Sequence, residues 1–126
     1  MKESHVLRIK NKSEILYLRL DEILYIQADG NYSNIYFADG SVLRALTYQR
    51  AEIIRMIEQQ SPDILKSSFV LLGRSFLINI RYILRIQPGK QLLTFRMNQF
   101  GSCKKISIKA TAKALSTLIT NLERRA

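Results

Sequence analysis

With 126 residues, 47% of them hydrophobic and 24% charged, the chain has one domain's composition, which excludes disorder, fibrous repeats and two ordinary domains. Twenty Lys and Arg against ten Asp and Glu leave a net charge of +10. The excess is one-sided: residues 1–65 hold eight cations and nine acids, a net of −1, while residues 66–126 hold twelve cations and only Glu123, a net of +11. Such an imbalance selects a polyanion as partner, either nucleic acid or an anionic membrane surface. A single cysteine, Cys103, excludes an internal disulfide and a thiolate metal cluster. No apolar run reaches the roughly 18–20 residues of a membrane span, and the first residues lack the apolar core of a secretory leader. The expectation is a reduced, cytoplasmic domain with no membrane insertion.

In chain order, the first half reads as strands. Val6–Lys10 is a short β-type run, Ile15–Leu20 alternates, and Ile23–Gln27 is β-branched and aromatic before Asp29-Gly30-Asn31 ends it. Ser33–Phe37 and Ser41–Leu46 flank Asp39-Gly40, a pair that tolerates positive φ and so signals a hairpin. The period then changes. Thr47 is placed to cap a helix whose apolar residues Ala51, Ile54 and Ile57 recur at helical spacing, and Ser61-Pro62-Asp63 stops it. Ile64–Ser68 reads as a connector. Strands return at Phe69–Leu72, Phe76–Ile78, Tyr82–Gln87, Leu92–Met97 and Ile106–Lys109, with turns at Pro88-Gly89 and over 98–102. Thr111 can cap a last helix with Ala112, Leu115, Leu118, Ile119 and Leu122 on one face. One helix between two β regions and one at the C-terminus make a mainly β chain.

The residues offer little for catalysis. The one histidine, His5, lies near the N-terminus, so serine and cysteine nucleophiles lack a base. Asp21, Glu22, Asp29 and Asp39 read as solvated turn residues, Cys103 as an incidental small residue, and the five glycines are too scattered for a phosphate loop. No enzyme activity, metal or cofactor is expected. The cations say more. Lys90, Lys104, Lys105, Lys109 and Lys113, with Arg74, Arg81, Arg85 and Arg96, spread over strands, turns and a helix start rather than forming a tail. Twelve cations facing one acid leave a positive surface suited to phosphates. Tyr32, Tyr36 and Tyr48 read as core or cross-strand partners before base-stacking platforms. An anionic membrane or an acidic protein remains the alternative partner. Neither expected helix combines a basic face with the bulky apolar face of a membrane-surface helix.

Two segments carry a family likeness. The run 21–32, Asp-Glu-Ile-Leu-Tyr-Ile-Gln-Ala-Asp-Gly-Asn-Tyr, leads to Asp39-Gly40, and the run 69–83 contains Gly73-Arg74-Ser75-Phe76-Leu77-Ile78-Asn79. Together they resemble the two signatures of LytTR-type DNA-binding domains over about residues 6–124, with 1–126 as one domain. The resemblance implies a bacterial transcription regulator built as an elongated antiparallel β-sheet or sandwich, whose loops enter successive major grooves of duplex DNA. It also implies a receiver domain or sensor protein upstream and weak pairing of two copies on DNA. Carried over by position, Asn31, Ser33 and Asn34 form the first contact loop, Arg74 the second and Lys109 the third, where the family often has arginine. Lys90, Lys104, Lys105 and Lys113 would add attraction to the backbone, and Ser75 and Asn79 would serve the fold. Gly73 replaces a common histidine, Gln27 a common acid, and Ser107-Ile108-Lys109 the usual Ser-Arg form, departures that bear on the target sequence.

Overall fold

The computed structural model describes residues 5–99 and 102–125. Its strands are β1 (Val6–Lys10), β2 (Ile15–Arg19), β3 (Ile23–Asp29), β4 (Tyr32–Phe37), β5 (Val42–Leu46), β6 (Phe69–Leu72), β7 (Phe76–Asn79), β8 (Ile83–Gln87), β9 (Leu92–Gln99) and β10 (Ser102–Lys109). Helices α1 (Arg50–Gln60) and α2 (Pro62–Ser68) separate β5 from β6, and α3 (Ala112–Arg125) follows β10. Every strand pair is antiparallel. A central sheet of order β5-β4-β3-β7-β6 is accompanied by the hairpin β1-β2 and the three-stranded sheet β10-β9-β8.

The central sheet is covered on both faces because its strands are apolar on both. One face, with Ile26, Ile35 and Leu77, packs against Leu7 and Ile9 of β1, Ile53 and Ile57 of α1, and Ile64 of α2. The other, with Tyr25, Leu72 and Ile78, packs against Leu93 and Phe95 of β9, Ile108 of β10, and Leu115 and Leu118 of α3. Simple alternation would put Leu24 and Tyr25 on opposite faces, yet both enter the second core. The cause is a bulge: Ile23 pairs with Phe37 and Tyr25 with Tyr36, so Leu24 is an extra residue that resets the phase. Tyr25 then stacks between Tyr36 and Phe95, with ring centroids 4.4 and 5.3 Å away. Burial pushes its hydroxyl pKa up to about 12.

Several polar side chains act as pieces of backbone. The amide of Gln60, the last residue of α1, accepts from Arg8 N at 2.8 Å and donates to Arg8 O at 2.9 Å, standing in for a neighbouring strand along β1. Buried Asn79 donates to Ile23 O at 2.9 Å and accepts from Arg81 N at 3.0 Å, the service to the fold that the sequence suggested. Ser75 serves differently: its hydroxyl is on an exposed residue, and its carbonyl accepts from Ala28 N at 2.7 Å.

Two sequence expectations change here. The segment between the β regions holds two helices, since Pro62 both stops α1 and starts α2, and the expected connector 64–68 is helical. Proline suits a first helical turn because its missing N–H has no intrahelical partner there anyway. The cap of α1 is Gln49 rather than Thr47, with Glu52 accepting from Gln49 N at 2.8 Å. At α3 the expected Thr111 does cap, accepting from Ala114 N at 3.1 Å. Of the turn expected over 98–102, Phe100 and Gly101 lie outside the described residues, as does the side chain of Cys103.

Candidate nucleic-acid interface

Four chain segments meet at one end of the central sheet. They are the β3–β4 tip (Gly30-Asn31), the start of α1, the three-residue turn between β6 and β7, and the β10–α3 junction. Short bonds hold them together. Gln49 Nε2 donates to Asn31 Oδ1 at 3.2 Å, tying the start of α1 to the tip. Arg50 Nη1 donates to Gly73 O at 3.2 Å and Phe76 O at 2.9 Å, bracketing the β6–β7 turn. Ala110 N donates to Gln91 O at 3.1 Å, which places the short 3₁₀ turn Pro88–Lys90 beside the end of β10.

Arg74 and Lys109 line one cleft of about 210 Å³, with Gly73, Ser75, Phe76 and Thr111. Arg74 and Lys113 line an adjoining cleft of about 360 Å³, with Leu71, Ala114 and Thr117. Gly73, between them, has φ +59°, a left-handed conformation that glycine adopts without strain; a Cβ there would only touch Ala114 Cβ at 4.0 Å. Arg74, Lys109 and Lys113 are all exposed and meet no carboxylate in the described ion pairs. Their charges therefore face solvent, and Lys90 joins them through the turn beside β10.

The remaining candidates divide. Asn31 is exposed at its tip. Ser33 is fully buried, its hydroxyl donating to Tyr48 O at 2.7 Å, and Asn34 is 9% exposed, its Oδ1 accepting from Ala45 N at 2.8 Å. Side chains bonded inward in this way shape the loop. Lys104 and Lys105 are exposed, but they pair across β9 with Met97 and Arg96. They therefore lie about 13–17 Å along β10 from Lys109 at about 3.3 Å per residue. Among the tyrosines, Tyr36 packs on Tyr25 and Tyr48 on the first core, whereas Tyr32 is 48% exposed.

Sequence reasoning passed over Gln49 and Arg50, which join the loops. Arg50 is half-buried, and desolvation lowers its pKa. Its partners lie 23 and 26 residues away, so no local pattern marks it.

Antiparallel layers that present loops and unpaired cations at one end define a β-class module for binding a polyanion. The chain belongs to the family described as the LytTr DNA-binding domain, which matches residues 13–118. Among solved structures, it is similar to the LytTr DNA-binding domain of a Bacillus cereus protein described as a methyl-accepting/DNA response regulator. The two share 17% identity and a TM-score of 0.58, covering 96% of this chain and 98% of that one. No curated protein matches the sequence. Family membership makes DNA binding in transcription regulation the general function. Among the described residues, no helix is long and apolar enough to cross a membrane.

Proposed function

We propose that this domain binds duplex DNA in a sequence-dependent manner as a bacterial transcription regulator, presenting loops to successive major grooves. The observation that carries the reading is the meeting of Arg74, Lys109 and Lys113 around adjoining clefts at the loop-bearing end. Arg74, exposed on a tight turn, has the forked donor geometry that matches guanine O6 and N7. Asn31, on the neighbouring tip, offers an amide of the size that reads a base edge or holds a phosphate. Lys109 lacks the guanidinium fork and suits a phosphate. Lys113 and Lys90 extend the phosphate-binding surface, with Lys104 and Lys105 as outlying charge. Ser33 and Asn34 keep the tip in shape and make no contact.

Docking of α3 into an anionic membrane gains no support, because Leu115 and Leu118, its apolar side, are buried in the second core; an acidic protein is the alternative partner for the same exposed cations. The proposed setting is cytoplasmic, within a single domain spanning 1–126, with a receiver domain or sensor protein upstream and two copies weakly paired on DNA. Selection of bound duplexes from a random pool at several salt concentrations tests the reading. An enriched sequence that Arg74→Ala loses is the expected result, and no enrichment at any salt overturns it.

A further inference from the structure

We infer that Arg50 is a positioning residue for sequence discrimination: it holds the β6–β7 turn in the conformation that presents Arg74, and it does not itself bind phosphate. The inference rests on the proposed sequence-dependent reading of DNA. An arginine beside a basic cleft would ordinarily be counted among the phosphate contacts. This one is arranged otherwise. Its Nη1 donates to two backbone carbonyls, Gly73 O at 3.2 Å and Phe76 O at 2.9 Å, which bracket Arg74 and Ser75. Its residue is half-buried and no described carboxylate pairs with it. A half-desolvated guanidinium bonded to carbonyls stiffens the segment between them, since a three-residue turn bound at both ends loses most of its freedom.

Position adds to the argument. Arg50 is the first residue of α1, and its neighbour Gln49 bonds Asn31 on the β3–β4 tip. One helix start therefore fixes the spacing between the two loops assigned to base contact. A loop displaced by about 1 Å cannot keep a bidentate base contact, whereas attraction to phosphates tolerates such a shift. Loss of Arg50 should therefore blur discrimination and leave general affinity largely in place.

The test uses the whole chain with the duplex it selects and with a random duplex, measured across a salt series. Arg50→Met keeps the aliphatic stem and removes the donors. The ratio of cognate to random affinity is expected to fall by about 5- to 150-fold, the discrimination carried by one bidentate contact. The slope of log K against log salt should stay as in the wild type. Arg50→Lys should restore most of the ratio, because the ammonium carries three N–H donors on a long stem and can serve both carbonyls. In an Arg74→Ala background, Arg50→Met should lower the ratio no further. If Arg50→Met melts below the assay temperature, Arg50→Gln, whose amide sits on a stem too short to reach the two carbonyls, is judged by the same split. An unchanged ratio overturns the inference. So does an equal loss on both duplexes with the slope reduced by about 0.9, the mark of a lost phosphate contact. A wild type with no preferred duplex overturns the DNA reading and the inference with it, whereas a selective wild type whose ratio survives in Arg50→Met overturns the inference alone.

Discussion

On the β4–β5 side of the loop-bearing end, polar side chains are committed to the protein's own backbone. Ser33 bonds Tyr48 O and Asn34 bonds Ala45 N; at the far end of β4, Asp39 likewise accepts from Ser41 N and Ser41 Oγ, bonds that hold its carboxyl below the usual range. On the β6–β7 and β10–α3 side, Arg74, Lys109 and Lys113 point to solvent around open clefts. Both sides meet at the same end, yet one turns polar groups inward as supports and the other turns cations out to solvent, where we propose the contacts lie. The one-sided charge of the sequence is the outward sign of this division. Supports work through hydrogen bonds to backbone, whether from a neutral side chain such as Ser33 or a charged one such as Arg50, while contacts to a polyanion need charge that nothing inside the protein neutralises.

The strongest way to break the comparison is to remove a support. Asn34→Ala removes the acceptor of Ala45 N–H at a bulge where Asn34 is nearly buried and Ala45 is exposed. The expected cost is about 0.5–1.5 kcal/mol of stability, since water can reach the freed N–H, read as a lower midpoint in urea unfolding. Where the variant is still folded, its preference among duplexes should match the wild type. A selective loss of cognate binding at full stability would mean that Asn34 is a contact and that the two sides are not distinct.

Removing a contact should do the reverse. Arg74→Ala is expected to leave the urea midpoint within about 0.5 kcal/mol, as surface changes generally do. It should also reduce discrimination at one base pair by about 1–3 kcal/mol. Competition between the selected duplex and its single-base variants measures this directly. A stability loss as large as that of Asn34→Ala would place Arg74 among the supports.

How the two sides show in the sequence follows from range. Arg74 stands out as a candidate because it sits in a compact run with Ser75 and Asn79, and the Asp39-Gly40 hairpin and the Thr111 cap are written in neighbouring residues. Asn31, Ser33 and Asn34 look alike in a list of polar residues. Only the pairing of β4 with β5, offset by a bulge between Ser33 and Ile35, decides that two of them face inward. Gln49 and Arg50 act across 18 to 26 residues, which no periodicity encodes. Pro62 was legible as a helix stop and not as a start, because both uses exploit the same missing N–H.

A smaller effect sharpens the support side. Ala45 is one of the two β5 residues opposite Asn34 in that bulge and has φ +56°, a left-handed conformation that costs a residue with a Cβ roughly 1–2 kcal/mol. Ala45→Gly relieves this strain but adds backbone freedom to the unfolded chain, so the net expectation is a gain below about 1 kcal/mol. Thermal melting measures the sign. A loss would mean that the Asn34 bond already removes the strain, making that bond worth more than an ordinary one.

The smallest effects lie along β10. Lys113 and Lys109 stand at the clefts, while Lys104 lies about 16 Å from Lys109, beyond the screening length of about 8–10 Å at physiological salt. If binding is centred on the clefts, Lys113→Ala should weaken cognate and random duplexes alike by a few-fold and flatten the salt slope by about 0.9. Lys104→Ala should flatten it by distinctly less, with neither change altering base preference. Equal slopes for the two variants would mean that the duplex runs along the β9–β10 hairpin, so that the contact side extends over the length of β10. The salt series for these two lysines therefore locates the footprint that Arg74 alone cannot define.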